Sequence, residues 1–288
     1  MNQKNYKISS QNIQAHSEET SSISVISYEI ENANDNNLNR DAIREQIKDY
    51  KIKGEFPSNL EYVDSYTDPN TGTTSTAFLN QDTGKVTVGM AGTNVHGDQL
   101  KNTLNSFNFI KDKQEAIDAR GSMLDFAADA NIGLRTVTDK DAHFKNTQQF
   151  IKDIKKDYEI DTITGHSLGG RDAIIIGVSN DIDNVVAYNP APLTVKDFRG
   201  IIKGPISSLN DKEKDAYIES FIKSYDGNIL RIVSDKDELN GIIKKTEYVS
   251  AGNEMVIKNG KGHSMLGFLG KREQREIKAE LEKLKGYQ

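Results

Sequence analysis

The sequence contains no cysteine and no tryptophan. Without cysteine there can be no disulfide framework and no thiolate metal site, and the redox compartment is left unmarked. Hydrophobic residues make up 35% and aromatic residues 7% of the 288 positions, a lean composition that still suffices for a packed core. Basic charge is not in excess: 37 Lys and Arg stand against 43 Asp and Glu, a net charge of −6. Nucleic-acid binding, which wants a basic face, finds no support here. No apolar run approaches the length of a transmembrane helix. The first 22 residues, MNQKNYKISSQNIQAHSEETSS, lack the basic-then-apolar pattern of a cleavable signal. The expectation is a soluble protein that either stays in the cytoplasm or is secreted by a route needing no such signal. There is no internal repeat and no low-complexity tract.

The most informative stretch is DTITGHSLGG, residues 161–170. It reads as a strand, then Gly-His-Ser-Leu-Gly, then a helix. This is the pattern of a nucleophile elbow, in which a serine hydroxyl projects from a sharp strand-to-helix turn in an α/β-hydrolase. Side chains at Gly165 or Gly169 would crowd that turn, and the helix N-terminus aims free N–H groups at the reacting oxygen. The context fits. Residues 158–163 form a short strand pattern, and 168–178 are rich in small residues that let a helix lie close to a sheet.

Along the chain, residues 1–22 are polar and are expected to be a mobile tail. Residues 23–30, ISVISYEI, suit either a strand or the start of a helix. Helical spacing of Ile43, Ile47 and Tyr50 predicts a helix over 41–50, and Phe150, Ile151, Ile154 and Tyr158 predict one over 141–158. Strands are expected at 60–67, 75–80, 85–90, 184–188, 228–233, 244–250 and 254–258. Residues 195–225 read as a polar helical excursion. Residues 272–285 read as a charged helix with little apolar face, so 271–288 is expected to be an appended helix or linker. Alternating apolar strands and helices imply a mainly parallel central sheet with helices on both faces, plus an antiparallel hairpin at one edge around 71–88. The hydrolase domain is thus expected over 23–270.

A catalytic serine needs a base, and the base needs an orienting acid. In this fold class the order is Ser, then Asp or Glu, then His. Only His263 follows Ser167, on the glycine-flanked loop NGKGHSM. The acid should sit past the strand 228–233, where Asp237 and Asp235 are the candidates; Asp237, one short turn beyond the strand, is preferred. Two donors must hold the developing oxyanion. The backbone N–H of Leu168 is one, and Thr93, after Gly92 at the end of an earlier strand, is the other. Leu104, Phe107, Phe109 and Ile110 lie just beyond and suit either core positions or a mobile lid within 94–134 that contacts acyl chains. His16, His96 and His143 carry no expected role, and His166 is read as a packing or hydrogen-bonding residue. None has a metal-ligand spacing partner, so neither metal nor cofactor is expected.

Taken together, GHSLGG after a strand, Gly-Thr closing an earlier one, the Asp after NILRIVSDKD and His263 in GHSM resemble the class 3 lipases, closest to lipase domains of bacterial secreted effectors exported by type VII-type systems. The resemblance spans roughly residues 60–269. It implies Ser167 as nucleophile, Asp237 as acid, His263 as base and Thr93 with Leu168 as oxyanion donors. It further implies an acylglycerol or phospholipid ester as substrate, transient contact with a membrane surface, export as a toxin effector, and a secretion chaperone or immunity protein as partner. The chain departs from the family at Ala91, where an arginine commonly precedes Gly-Thr, and at Arg171-Asp172, which replace apolar residues and read as a surface ion pair. Two alternatives stand beside the lipase reading: a short-chain esterase or thioesterase, and a non-catalytic interaction or delivery module built on a hydrolase fold.

Overall fold

In a computed structural model, which describes residues 6–68, 72–92, 142–191, 193, 209–237, 251–284, 286 and 287, the strands join into one seven-stranded sheet. The strands are β1 (Leu60–Thr67), β2 (Thr74–Asn80), β3 (Val86–Ala91), β4 (Ile160–His166), β5 (Asn184–Tyr188), β6 (Asn228–Ser234) and β7 (Asn253–Ile257), and they lie side by side in chain order. β1–β2 and β2–β3 pair antiparallel, whereas β3–β4, β4–β5, β5–β6 and β6–β7 pair parallel. The expected edge hairpin is therefore β2–β3, extended outward by β1. The expected strand over 244–250 and the lid region 94–134 lie outside the described residues.

Sequential order in a parallel sheet has a geometric consequence. Strand–helix–strand crossovers are right-handed, so helices joining neighbours that always step the same way fall on the same face. Helices α3 (Ala142–Ile154), α4 (Leu168–Ser179) and α5 (Asp211–Lys223) do so. Phe150, Ile151, Ala173, Ile174, Ile218 and the strand residues Ile163, Val185 and Ile229 form one core. Residues 195–225 were expected to be an excursion. Instead their described part, α5, is the crossover that a parallel β5–β6 pair requires, and its Ile218 is buried.

The opposite face must then be covered from the chain ends. Helices α1 (Glu19–Asp35), α2 (Arg40–Lys53) and α6 (Lys271–Leu281) cover it. Ile23, Ile26, Ile30, Ile43, Ile47, Phe268, Ile277 and Leu281 pack there against Val186, Tyr188, Leu230 and Ile232. Two expectations are corrected here. The polar tail is seated on the domain, with Ile8 and Ile13 buried and Glu18 capping α1 by accepting from the N–H groups of Thr20 and Ser21. The charged C-terminal helix docks through Ile277 and Leu281, spaced one helical turn apart, and Gln274 donates to Ser21 Oγ and the Phe268 carbonyl. In both, a few apolar residues suffice because they join the same buried cluster as Val186, Tyr188, Leu230 and Ile232.

The ambiguous segment 23–30 is helical. Its apolar residues serve both periods, but Ser24 and Ser27 settle the matter. Their small side chains let α1 lie close to the sheet, and their hydroxyls bond Thr164 Oγ1 (2.9 Å) and Thr76 Oγ1 (2.7 Å).

Each buried isoleucine of this terminal layer stabilises the fold by roughly 1.5–3 kcal/mol. Ile13→Ala, at a site 0% exposed, should cost about 2–5 kcal/mol in urea denaturation, and Ile52→Ala, at a site 76% exposed, should stay within about 0.5 kcal/mol. Equal, negligible effects would mean that the first residues do not pack on the domain.

Candidate active site

The parallel strands end together along one rim: His166 is opposite Tyr188, and Tyr188 is opposite Ile232. From β4 the chain passes through Ser167 directly into α4. Ser167 has φ 58° and ψ −124°, an unfavourable region for a residue with a side chain. The turn is held on both sides. Ser167 N–H donates to the Tyr188 carbonyl (3.1 Å), and its own carbonyl accepts from Ala191 N–H (2.9 Å) and Arg171 N–H (3.1 Å). The glycine requirement is steric. A Cβ at Gly165 would lie 2.3 Å from the Gly169 carbonyl oxygen, and one at Gly169 would lie 2.2 Å from that of Met90.

Beyond β7 the loop brings His263 to this serine. His263 Nε2 lies 2.9 Å from Ser167 Oγ, and His263 Nδ1 lies 3.1 Å from Asp237 Oδ1. Asp237 follows β6, with its N–H bonded to the Ser234 carbonyl (3.1 Å), and its side chain is 1% exposed. Asp235 sits differently. Its Oδ1 accepts from Gly260 N–H at 3.0 Å, so it holds the backbone of the histidine loop and not the imidazole. The relay Ser167–His263–Asp237 is the arrangement in which an imidazole can take a proton from a hydroxyl while a carboxylate fixes its tautomer.

Leu168 opens α4, where first-turn N–H groups have no partner within the helix. Gly92 lies against this turn: a Cβ there would be 3.1 Å from Tyr28 Oη and 3.2 Å from Gly169 N. Thr93, Leu104, Phe107, Phe109, Ile110 and His96 lie outside the described residues. His16 is exposed. Arg171 and Asp172, expected at the surface, are buried with side chains 5% and 4% exposed and 3.4 Å apart. Among the described residues no group of three or more His, Asp or Glu is placed to hold a metal ion.

Two contributors went unread in the sequence. Asn189, directly after β5 and fully buried, accepts from Ser234 N–H through Oδ1 (2.8 Å) and donates from Nδ2 to the Gly262 carbonyl (3.2 Å), so it joins the segments that carry Asp237 and His263. Tyr28 of α1 places its hydroxyl 3.0 Å from His166 Nδ1. Nothing local in the sequence marks the Asn189 amide as a tie, and Tyr28 lies in a segment whose periodicity suits either helix or strand.

A parallel sheet, a strained serine between strand and helix, an acid after a later strand and a histidine on the loop past the last one define an α/β-hydrolase fold. Among solved structures, lipase II from Rhizopus niveus is similar at 12% identity, with 84% of this chain and 78% of that one covered and a TM-score of 0.40. A lipase from Rhizopus microsporus var. chinensis is similar at 14% identity, covering 82% and 71%, with a TM-score of 0.41. A triacylglycerol lipase from Penicillium expansum is similar at 15% identity, covering 70% and 71%, with a TM-score of 0.39. No family model matches the sequence, and no curated protein does. Function is accordingly argued from the site itself.

Burial, reinforced by the adjacent His263, pushes the pKa of His166 from the ordinary 6.5 down to about 3. Between those values the unfolded chain binds a proton that the folded chain does not, so stability present above pH 6.5 is lost as pH falls toward 3. His166→Gln should flatten this acid limb by about 1.4 kcal/mol per pH unit in denaturant unfolding. An unchanged slope would show that His166 is not held neutral.

Proposed function

We propose that the protein is a serine carboxylester hydrolase. The observation that supports this best is the pair of contacts linking Ser167 Oγ to His263 Nε2 at 2.9 Å and His263 Nδ1 to Asp237 at 3.1 Å, at the rim where β4 turns into α4. Ser167 Oγ attacks the ester carbonyl as His263 Nε2 takes its proton. Asp237 holds the Nδ1 proton and stabilises the imidazolium. The N–H groups of Leu168 and Thr93 receive the oxyanion. His263 then protonates the departing alcohol, and a water molecule activated by the same imidazole cleaves the acyl-enzyme.

The substrate class we infer is a lipid ester, acylglycerol or phospholipid. Its support is the motif resemblance of the sequence to class 3 lipases, and the same resemblance supports a secreted, phospholipase-like effector. A lipid panel with mass-spectrometric identification of products tests the substrate class. Release of fatty acid from long-chain esters is expected, and cleavage confined to soluble short-chain esters or thioesters would replace it.

Ser167→Ala should lower hydrolysis of a short-chain ester by about a millionfold and abolish labelling by a fluorophosphonate, with melting behaviour unchanged. A folded variant that keeps more than a few per cent of activity would overturn the assignment. Asp237→Asn should lower kcat by about ten-thousandfold. Asp235→Asn should be far milder, since Asp235 bonds Gly260 N–H and leaves the imidazole alone. The reverse ranking in folded variants would move the acid to Asp235.

A further inference from the structure

The base sits on a segment with little intrinsic stiffness. Gly260 and Gly262 flank Lys261, both at positive φ (64° and 60°), and residues 258, 260, 261 and 264 are exposed. Yet His263 must meet two partners at once, each within hydrogen-bond distance, and one to two ångströms of drift would break the relay. The loop is tied down residue by residue to the strand ends. Asn259 Oδ1 accepts from Ser234 Oγ (2.6 Å), Gly260 N–H donates to Asp235 (3.0 Å), and the Gly262 carbonyl accepts from Asn189 Nδ2 (3.2 Å). The last tie reaches the base residue: the His263 carbonyl lies 2.7 Å from His166 Nε2.

We propose that His166, the residue before the nucleophile, is a positioning residue that clamps the backbone of His263 through its Nε2–H, with Tyr28 of α1 fixing its tautomer. The inference rests on the triad reading given above. A carbonyl only accepts, so Nε2 must carry the proton. That leaves Nδ1 with a lone pair, which the Tyr28 hydroxyl, 3.0 Å away, meets as a donor, its one proton shared with the His166 carbonyl at 3.2 Å. The two imidazoles lie with ring centroids 4.8 Å apart. A charged His166 would therefore oppose the imidazolium that His263 becomes during the reaction. Burial, with the adjacent His263, keeps His166 neutral down to about pH 3, so the clamp holds without adding a second positive charge. The N-terminal helix is thereby connected to the catalytic geometry through one hydroxyl and one ring.

The test compares His166→Phe, which keeps an aromatic ring but loses the donor, with His166→Gln, whose amide can reach the same carbonyl. In the full-length protein, His166→Phe should lower kcat on a short-chain ester by about a hundredfold, the typical cost of small misplacement, with KM near wild type. His166→Gln should restore most of the rate. In parallel, the far-downfield proton resonance of the His263–Asp237 hydrogen bond should be lost or broadened in the Phe variant and return in the Gln variant. A folded Phe variant with wild-type kcat and an unchanged resonance would overturn the proposal. Should the Phe variant not fold, His166→Asn against His166→Gln makes the same comparison, since the shorter amide does not span to the carbonyl; equal rates and equal resonances in that pair would also overturn it. The failure of the triad reading is separable. It would appear as activity surviving Ser167→Ala, whereas the resonance reports on the His263 geometry whatever the reaction.

Discussion

Everything at the candidate site depends on the backbone of Ser167 staying at φ 58°, ψ −124°. Such a conformation costs on the order of 1–3 kcal/mol and persists only where its surroundings over-determine it. Here the surroundings are three backbone hydrogen bonds to Tyr188, Ala191 and Arg171, and a close approach of Gly169 to the Met90 carbonyl that no side chain could share. The main chain of β3, β5 and α4 consequently fixes the direction of the Ser167 Cα–Cβ bond, from which the side-chain rotamer places the hydroxyl. A serine placed in this way meets His263 and Asp237 because the C-terminal ends of the parallel strands β3–β7 share one rim.

The delivery is uneven in stiffness. Asp237 follows β6 after a single turn and is buried. His263 arrives on a glycine-flanked loop, beyond the outermost strand. The chain compensates with side-chain ties from residues that never contact the serine hydroxyl. Asn189 is the clearest: one buried amide bonds Ser234, on the path to Asp237, and Gly262, next to His263. His166 bonds the His263 carbonyl itself. Asp235, the rival for the acid, also belongs to this set, which explains why two aspartates stand two residues apart with distinct partners.

The terminal segments follow from the same topology. Once every described crossover helix lies on one face, the other face of the sheet, carrying Val186, Tyr188, Leu230 and Ile232, must be buried by elements that do not connect neighbouring parallel strands. Residues 6–53 and 265–287 supply them. The two ends meet at Glu18, whose carboxylate accepts from Tyr188 and Tyr287 and whose backbone N–H is bonded to Gln274. Tyr28 shows the functional side of this arrangement, since the helix that closes the core also bonds a ring beside the base.

The sequence by itself determined what is local. The elbow glycines, the strand-helix alternation and the strands 60–67 and 184–188 are short-range patterns set by sterics and periodicity, and they are readable without a partner. What only the tertiary structure decided depends on surfaces that meet across long separations. The two terminal segments look polar because few of their described residues, Ile8, Ile13, Ile277 and Leu281 among them, join the core, and some of their polar groups find partners more than 200 residues away, as Gln274 does with Ser21 across 253 residues. Segment 23–30 could be either helix or strand until Ser24 and Ser27 met Thr164 and Thr76. Arg171 and Asp172 read as surface charges because burial depends on what packs over a helix and not on the helix's own sequence. Asn189, His166 and Tyr28 carry no local mark of their roles, since a hydrogen bond between strand ends exists only once the sheet has set their register.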